Sequence, residues 1–221
     1  LRFSALSAPV AIALLRAAEP GALLGPGASI QLSESAFTVE RADFGQANPP
    51  DSAGQAQAHP AAHPWAGATT YEALSAPWLL GRRAPAHYIL LRFASPTTFK
   101  SAERYVPVPL PQWVWGSLLE KWNAFAPVAL PPEARRFAEE CLALTAYELR
   151  TRMVSLKEGG LRPGAVGLAR YTALNRDRYW LSVVQLLADF AFFAGVGLGV
   201  AMGLGQCRRE IARESSPNPP A

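Results

Sequence analysis

An almost uncharged stretch punctuated by glycines constrains the fold of this chain more than any other segment. Residues 192–209 read FFAGVGLGVAMGLGQCRR, with five glycines between Gly195 and Gly205 and two arginines at the end. The stretch is compatible with half of a membrane helix, with a helix end followed by a tight turn, or with a functional glycine-rich loop. These three alternatives lead to unrelated functions.

The membrane helix is the least favoured of the three. Asp189, the single charge of the apolar run 180–205, would lie near the middle of a span at a cost of about 2.5–3.5 kcal/mol. The first three glycines follow an i, i+2 pattern and not a helical stripe, although Gly195, Gly199 and Gly203 also match the spacing of packed membrane helices. We therefore favour a loop whose unpaired N–H groups, with no Cβ in the way, suit a phosphate backbone. A plain helix cap and turn remains the alternative.

Hydrophobic periodicity predicts an α+β fold. A strand (1–6), a helix (8–21) and a strand (29–43) form a β-α-β unit, and a stretch rich in Pro, Gly and Ala (45–68) follows without periodicity. The pattern then predicts strand, helix, helix, strand, strand, helix and strand over 87–99, 111–127, 131–144, 145–156, 164–174, 177–195 and 200–211. With the two adjacent helices counted as one layer, this order is that of the ferredoxin-like split βαβ unit.

The basic residues are clustered, which favours a nucleic-acid partner. The chain has 21 Lys and Arg against 17 Asp and Glu, for a formal charge of +4, and 18 of those 21 are Arg. Residues 76–110 and the chain from 148 onward hold the excess of positive charge. Arg makes forked contacts with phosphate and stacks on bases, although a composition bias toward Ala, Pro, Gly and Arg explains part of its abundance.

The two cysteines and the N-terminal residues indicate the cellular compartment in which the chain is expected. Cys141 and Cys207 are too few for a disulfide framework, and no CxxC pair suggests structural zinc. A reducing, cytoplasmic location is therefore expected. No basic segment precedes an apolar one at the N-terminus, so no secretory signal is predicted, and Leu1 in place of Met suggests a fragment or a processed chain.

An ordered set of motifs resembles one known family. The pattern G-V-G-L-G-V-A-M-G-L-G-Q, with LLADFAFFAGVG leading into it and QCRR after it, is similar to the C-terminal glycine-rich signature of the RAMP superfamily. HPWAGATTYEAL, LRFASPTTFKS, YVPVPLPQWVWGSLLEKWNAFAP and YELRTRMVSL occur in the corresponding order. More closely, the chain resembles the CRISPR-associated endoribonucleases that process precursor crRNA, the sixth Cas family.

The resemblance implies two ferredoxin-like (RRM-like) domains in tandem, with RNA bound across their surface. On that basis residues 1–44 are the remnant of the first domain, 45–86 a loop or linker, 87–213 the second domain with its glycine-rich loop, and 214–221 a disordered tail. It also implies cleavage within each repeat without metal or cofactor. The ribose 2′-OH attacks the adjacent phosphate and leaves a 2′,3′-cyclic phosphate and a 5′-OH, helped by a base, an acid and cations.

The catalytic residues are not assigned within the 221 residues. The family's catalytic histidine lies on the first helix of the first domain, and the motifs align Leu1 with that domain's third strand, so the base is expected upstream of Leu1 or on another chain. His63, beside Trp65 in a loop, is the remaining candidate. His59 and His63 each precede a proline and cannot share a helical face as metal ligands do, so no metal site is predicted.

The predicted RNA-binding residues belong to the loop and to basic positions beside predicted strands. They are Gly195, Gly197, Gly199, Gly203, Gly205, Arg208, Arg209, Lys100 and Arg104. Alternation along a strand allows only one of Arg208 and Arg209 to face RNA, and Lys100 with Arg104 could equally be a solvated strand end. Among the tryptophans, Trp113 is expected to be exposed, and the other two of its helix are expected in the core.

The expected partners are CRISPR repeat RNA or crRNA and, by the resemblance, a CRISPR effector complex. No membrane partner is expected, and a homodimer is left open. The alternative function is that of a non-catalytic RAMP subunit that holds guide RNA in an effector complex. A small membrane-anchored protein is the third hypothesis.

Overall fold

The computed structural model of the protein describes residues 2–32, 34–43, 63–81, 83–155 and 160–210. The chain divides into two units, Leu1–Leu74 and Ser75–Ala221. The tail predicted at 214–221 and most of the predicted loop at 45–68 lie outside the described residues.

The first unit contains one helix and one short hairpin. Helix α1 spans Ala8–Ala17, and strands β1 (Ser29–Leu32) and β2 (Ser35–Thr38) pair antiparallel. The helix prediction is confirmed, but two strand predictions are wrong. Residues 2–5 have no regular structure, and the segment 29–43 reverses into a hairpin instead of running as one strand. Alternating apolar side chains become a strand only where a neighbour receives the backbone hydrogen bonds.

Helix α2 (Tyr71–Leu79) lies within 45–86, the segment that the sequence predicts as a loop or linker, so that prediction is wrong for these residues. Pro77 lies inside the helix, and a proline at an interior position argues against a helix in the sequence. Thr70 is the residue from which the start of the helix could have been predicted. The Thr70 hydroxyl accepts a hydrogen bond from the N–H of Ala73 at 3.1 Å, as a helix N-cap does. The domain boundaries themselves remain predictions.

The second unit is built on a four-stranded antiparallel sheet. Its strands are β3 (Tyr88–Thr97), β6 (Leu142–Ser155), β7 (Leu161–Ala173) and β8 (Cys207–Arg209), in the order β6-β7-β3-β8. Between β3 and β6 come the hairpin of β4 (Phe99–Ser101) and β5 (Arg104–Val106), then helices α3 (Pro111–Phe125) and α4 (Glu133–Cys141); helix α5 (Arg178–Ala194) follows β7. The predicted β-α-β-β-α-β order is confirmed, and the hairpin is an addition that the sequence analysis missed.

The core of this unit lies between one face of the sheet and helices α3 and α5. Trp115 is fully buried and packs edge-to-face on Tyr171 of β7, with the ring centroids 4.8 Å apart. Its indole N–H donates to the carbonyl oxygen of Val184 in α5 at 3.0 Å, so this buried donor has a hydrogen-bond partner. Trp122 is also buried, which confirms both core predictions.

Helix α5 explains why the first part of the run 180–205, as far as Ala194, is so apolar. Asp177 caps its start by accepting the N–H of Trp180, and Gly195 ends it with a φ of 62°. Most of its side chains are buried by the sheet and the neighbouring helices, so their low polarity reflects the core. Among the described residues, no helix has both the length and the apolar character that a membrane crossing would require.

The predicted final strand, 200–211, is wrong for most of its length. Val200–Met202 form a single 3₁₀ turn, and among the described residues of this segment Cys207–Arg209 pair with β3. Gly203 and Gly205 adopt the left-handed conformation, which interrupts an extended backbone and shortens the strand.

Candidate functional site

Left-handed glycines determine the course of the loop between α5 and β8. Its five members have φ between 62° and 83°: Gly195, Gly197, Gly199, Gly203 and Gly205. A Cβ at Gly205 would lie 2.0 Å from the carbonyl oxygen of Val196, and one at Gly197 would lie 2.4 Å from that of Thr98. Glycine is therefore required at these two positions by both conformation and space.

Most backbone N–H groups of this glycine-rich loop donate within the protein. The N–H groups of residues 195–198 and 202–206 all have protein acceptors, such as Val196 donating to Gly205 at 2.8 Å. The prediction of a loop lined with unpaired N–H groups is therefore wrong for most of its length. Among the described residues, 199–201 form the part of the loop whose N–H groups have no such acceptor.

Lys121 of helix α3 holds the beginning of the loop. Its ammonium donates to the carbonyl oxygens of Gly195 at 2.9 Å and Gly197 at 3.4 Å. Ser117, one turn earlier, accepts the N–H of Gly197 at 2.9 Å. Burial is the main reason that the pKa of Lys121 is lowered to about 8. This lysine was not predicted as a functional residue, although a charge within a largely apolar helix was the available signal.

Arg209 directs its guanidinium toward the interior, so this geometry gives no support to the predicted RNA contact. Its Nε donates to Asp189 at 2.5 Å, and its other nitrogens donate to the side chain and the backbone carbonyl of Gln185. The indole N–H of Trp78 donates to the second carboxylate oxygen of Asp189 at 2.8 Å. Arg209 is thus a structural cation that ties β8 to α5 and α2.

Arg208 points to the opposite face of the sheet, as strand alternation requires. It lies opposite Arg92 of β3, and both guanidinium groups contact the same carboxylate oxygen of Glu210, at 3.0 Å and 2.5 Å. Burial opposes ionisation of Glu210, but hydrogen bonds from the two arginines outweigh it and lower its pKa. Two positive charges with one negative charge leave this patch net basic.

The same sheet face carries further polar and basic side chains. Arg170 of β7 lies opposite Leu90 of β3, and its guanidinium sits over the ring of Tyr88, 4.8 Å from the centroid. This face is opposite the helices, because the intervening residues of β3, such as Leu91, are fully buried. We call Arg92, Arg170 and Arg208 the sheet-face arginines.

Lys100 and Arg104 lie on the β4–β5 hairpin. Lys100 pairs with Glu103 at 2.7 Å, and both side chains remain largely solvated, whereas Arg104 is exposed. The strand that leads into the hairpin touches the glycine-rich loop, because Thr98 accepts the N–H of Leu198 at 2.9 Å. The structure thus brings these two predicted residues to an element that contacts the loop.

Tyr105 and Arg162 were missed by the sequence analysis. Arg162 of β7 donates to the hydroxyl of Tyr105 at 3.2 Å, and its guanidinium carbon lies 4.5 Å from the centre of that ring. A Cβ on Gly199 would come within 3.4 Å of Arg162 Nη1, so this pair borders the loop. Nothing in the sequence joins positions 57 residues apart; the packing of the β4–β5 hairpin against β7 brings them together.

His63 belongs to the first unit, where it is exposed. Its Nδ1 accepts the N–H of Trp65 at 3.3 Å, a contact that stabilises the local turn. This geometry adds no support for His63 as a catalytic base. Trp113, predicted to be exposed, is partly buried and stacks on Phe99 with the centroids 5.9 Å apart.

Related proteins are found by sequence. The family model described as "CRISPR-associated endoribonuclease Cas6" matches residues 91–207, more than half of the chain. Two curated relatives with that same description, from Mycobacterium tuberculosis strains CDC 1551 / Oshkosh and ATCC 25618 / H37Rv, are 30% identical over 119 residues, or 53% of this chain. The chain spans 37% of the length of these relatives.

Related proteins are also found by structure. A Cas6 product complex superposes with a TM-score of 0.71 at 28% identity, covering 93% of this chain and 73% of the other. A Cas6 substrate-mimic complex gives 0.66 at 27% identity, covering 93% and 75%. Thermus thermophilus Cas6 gives 0.60 at 30% identity, covering 67% and 61%.

Proposed function

Since the chain belongs to the CRISPR-associated endoribonuclease Cas6 family, we propose that it binds CRISPR repeat RNA and serves in the endonucleolytic cleavage of precursor crRNA. The observation that carries the proposal is the family match over 91–207, which contains most of the sheet, the glycine-rich loop and the β4–β5 hairpin. The structural match to a Cas6 bound to product supports RNA as the ligand.

The proposed reaction is attack by the ribose 2′-OH on the adjacent phosphate. The O–P bond to the 5′-oxygen breaks as the new 2′ O–P bond forms, giving a 2′,3′-cyclic phosphate and a 5′-OH. A base takes the 2′ proton, an acid supplies one to the leaving oxygen, and cations stabilise the phosphorane. DNA lacks the nucleophile and would not be cleaved.

The proposed RNA surface belongs to the second unit. We assign phosphate contacts to Lys100, Arg104, Arg208 and its neighbour Arg92, and a close backbone approach to residues 199–201 of the loop. The other loop glycines act by giving the loop its fold, as their internal hydrogen bonds indicate. We further propose that the sheet of this unit is one of two ferredoxin-like domains in tandem.

A cleavage assay on repeat RNA tests the function. Labelled repeat RNA is incubated in EDTA with the full-length gene product, beside a copy with deoxyribose at the scissile position. We expect a single cut that persists in EDTA and disappears with the deoxy substitution. Cutting that requires a divalent ion, or that survives the deoxy substitution, would contradict the proposed chemistry.

Salt-sensitive RNA binding without cleavage would favour the alternative function, a non-catalytic subunit that holds guide RNA. Binding is measured over a range of salt concentrations, because each phosphate contact contributes about 0.7 to the slope for a single strand. Effector-complex membership and a homodimer are further proposals. Co-purification with other subunits and light scattering of the RNA-bound protein test them.

A further inference from the structure

We propose that Tyr105 and Arg162 form a subsite that stacks one unpaired nucleobase of the bound RNA, with Lys100 beside it for the phosphate. This proposal rests on the proposed RNA-binding function and adds a specific contact to it. On this proposal, the β4–β5 hairpin recognises single-stranded RNA by stacking on a base as well as by its positive charge.

The side chain of Tyr105 is held in place but not covered. The residue is 41% exposed, while Arg162 holds its ring through both a 3.2 Å hydrogen bond to the hydroxyl and a guanidinium carbon 4.5 Å from the ring centre. Without these contacts, the side chain of a tyrosine at this exposure would rotate freely. An aromatic ring already fixed in orientation loses little entropy when a base stacks on it.

The side chain of Arg162 is only partly buried. Its Nε is buried and has no hydrogen-bond partner among the described residues, so a donor to a ligand must come from the outer nitrogens. The guanidinium also lies against the glycine-rich loop, where Gly199 leaves the space that a Cβ would restrict. A planar guanidinium next to an aromatic ring can extend the stacking surface for a base and offer donors to a phosphate or a carbonyl of the base.

Lys100 completes the subsite. It is the direct cross-strand partner of Tyr105, so both side chains lie on the same face of the hairpin, opposite the buried Phe99. Its present partner is the exposed Glu103, and such surface pairs contribute little to stability. A phosphate can therefore replace the carboxylate at small cost.

The chemistry favours an unpaired nucleotide over a duplex. Bases in an A-form helix are stacked on each other and offer no free face to a protein ring. An unpaired base exposes its π-face, and every base can stack. We therefore expect this subsite to bind a single-stranded segment of the repeat.

The test compares RNA affinities of matched tyrosine variants. Fluorescence anisotropy with a labelled single-stranded repeat RNA gives Kd for the unaltered 221-residue chain, Y105I, Y105F and Y147I. Isoleucine preserves strand propensity but removes the ring; Tyr147 is an exposed tyrosine on β6, 66% accessible, and serves as the matched control. Thermal unfolding checks that each variant is folded.

We expect Y105I to raise Kd about tenfold with an unchanged salt slope, because stacking involves no counterion release. Y147I should bind within about twofold of the unaltered chain. Y105F keeps the ring but loses the bond from Arg162, so its Kd should lie between those of the unaltered chain and Y105I. K100A should lower the salt slope by about 0.7. An RNA carrying 2-aminopurine should show quenching that Y105I abolishes and Y105F retains.

Two failures are distinguishable. If the unaltered chain binds RNA and folded Y105I binds it equally well, the stacking subsite is overturned while the proposed function stands. If the unaltered chain shows no salt-sensitive RNA binding, the proposed function fails and the subsite fails with it.

Discussion

The ammonium of Lys121 donates to the carbonyl oxygen of Gly195, 74 positions later in the chain, at 2.9 Å. This bond joins the middle of helix α3 to the residue that ends helix α5. The same ammonium reaches Gly197 at 3.4 Å, so one cation satisfies two carbonyls at the start of the glycine-rich loop. The shape of the loop therefore depends on a residue outside it.

Replacing Lys121 with Met should lower the free energy of unfolding by about 1–3 kcal/mol, because two carbonyl groups lose their donor. Lys121→Arg retains a donor and should lose less. Urea titration of the three proteins gives these differences. RNA affinity should fall in K121M more than in K121R, and equal stability of K121M and the unaltered chain would contradict a structural role for the bond.

The pH dependence of stability should reveal the same amine. Its folded pKa of about 8 lies below its ordinary value of 10.5, so the unfolded chain binds more protons between these pH values. The free energy of unfolding contributed by Lys121 therefore rises as pH increases from about 8 to 10.5. Burial raises the pKa of Cys207, which acts in the opposite direction, so the measurement is the difference between the unaltered chain and K121M. A difference that does not change with pH would be inconsistent with a buried amine.

Arg209→Ala should destabilise the fold by about 3 kcal/mol, because the largely buried carboxylate of Asp189 would lose its ion-pair partner. The salt slope of RNA binding should not change, since Arg209 faces the interior. Arg208→Ala should cause little loss of stability and should lower the salt slope of RNA binding by about 0.7. Denaturant unfolding and anisotropy on both variants measure this contrast, and a reduced slope for folded R209A would contradict the interior assignment.

Two glycine substitutions distinguish the effect of a steric clash from the effect of an unfavourable backbone conformation. Gly205→Ala places a Cβ 2.0 Å from a backbone oxygen and should prevent the loop from forming. Gly203→Ala meets no atom within 4 Å, so it should cost only the left-handed strain of about 1–2 kcal/mol. Differential scanning calorimetry should give a small shift for G203A and a large one for G205A. Similar shifts would argue against the loop geometry.

The turn of the β4–β5 hairpin is strained. Ala102 and Glu103 have φ of 45° and 63°, values that Asn and Gly adopt more easily than Ala and Glu. The double variant A102N/E103G should raise the free energy of unfolding by about 1–2 kcal/mol. Loss of the exposed pair with Lys100 offsets little of this gain. Urea titration measures it, and a destabilised double variant would contradict the left-handed turn.

The sequence by itself determined the type and order of the main elements in the second unit, without the β4–β5 hairpin and without the bounds of β8. Periodicity located β3, α3, β6, β7 and α5, because one face of each must be apolar to enter the core. The glycine pattern also identified the loop, since positive φ at Gly197 and Gly205 is a local property of the backbone.

Only the tertiary structure decided which charges are available to a ligand. Arg208 and Arg209 are adjacent and chemically identical, yet the pleat of β8 sends one to the sheet face and the other to Asp189. Lys121, Tyr105 and Arg162 acquire their surroundings from segments distant in the chain. Local patterns carry no information about such pairs, because their contacts arise when strands and helices pack together.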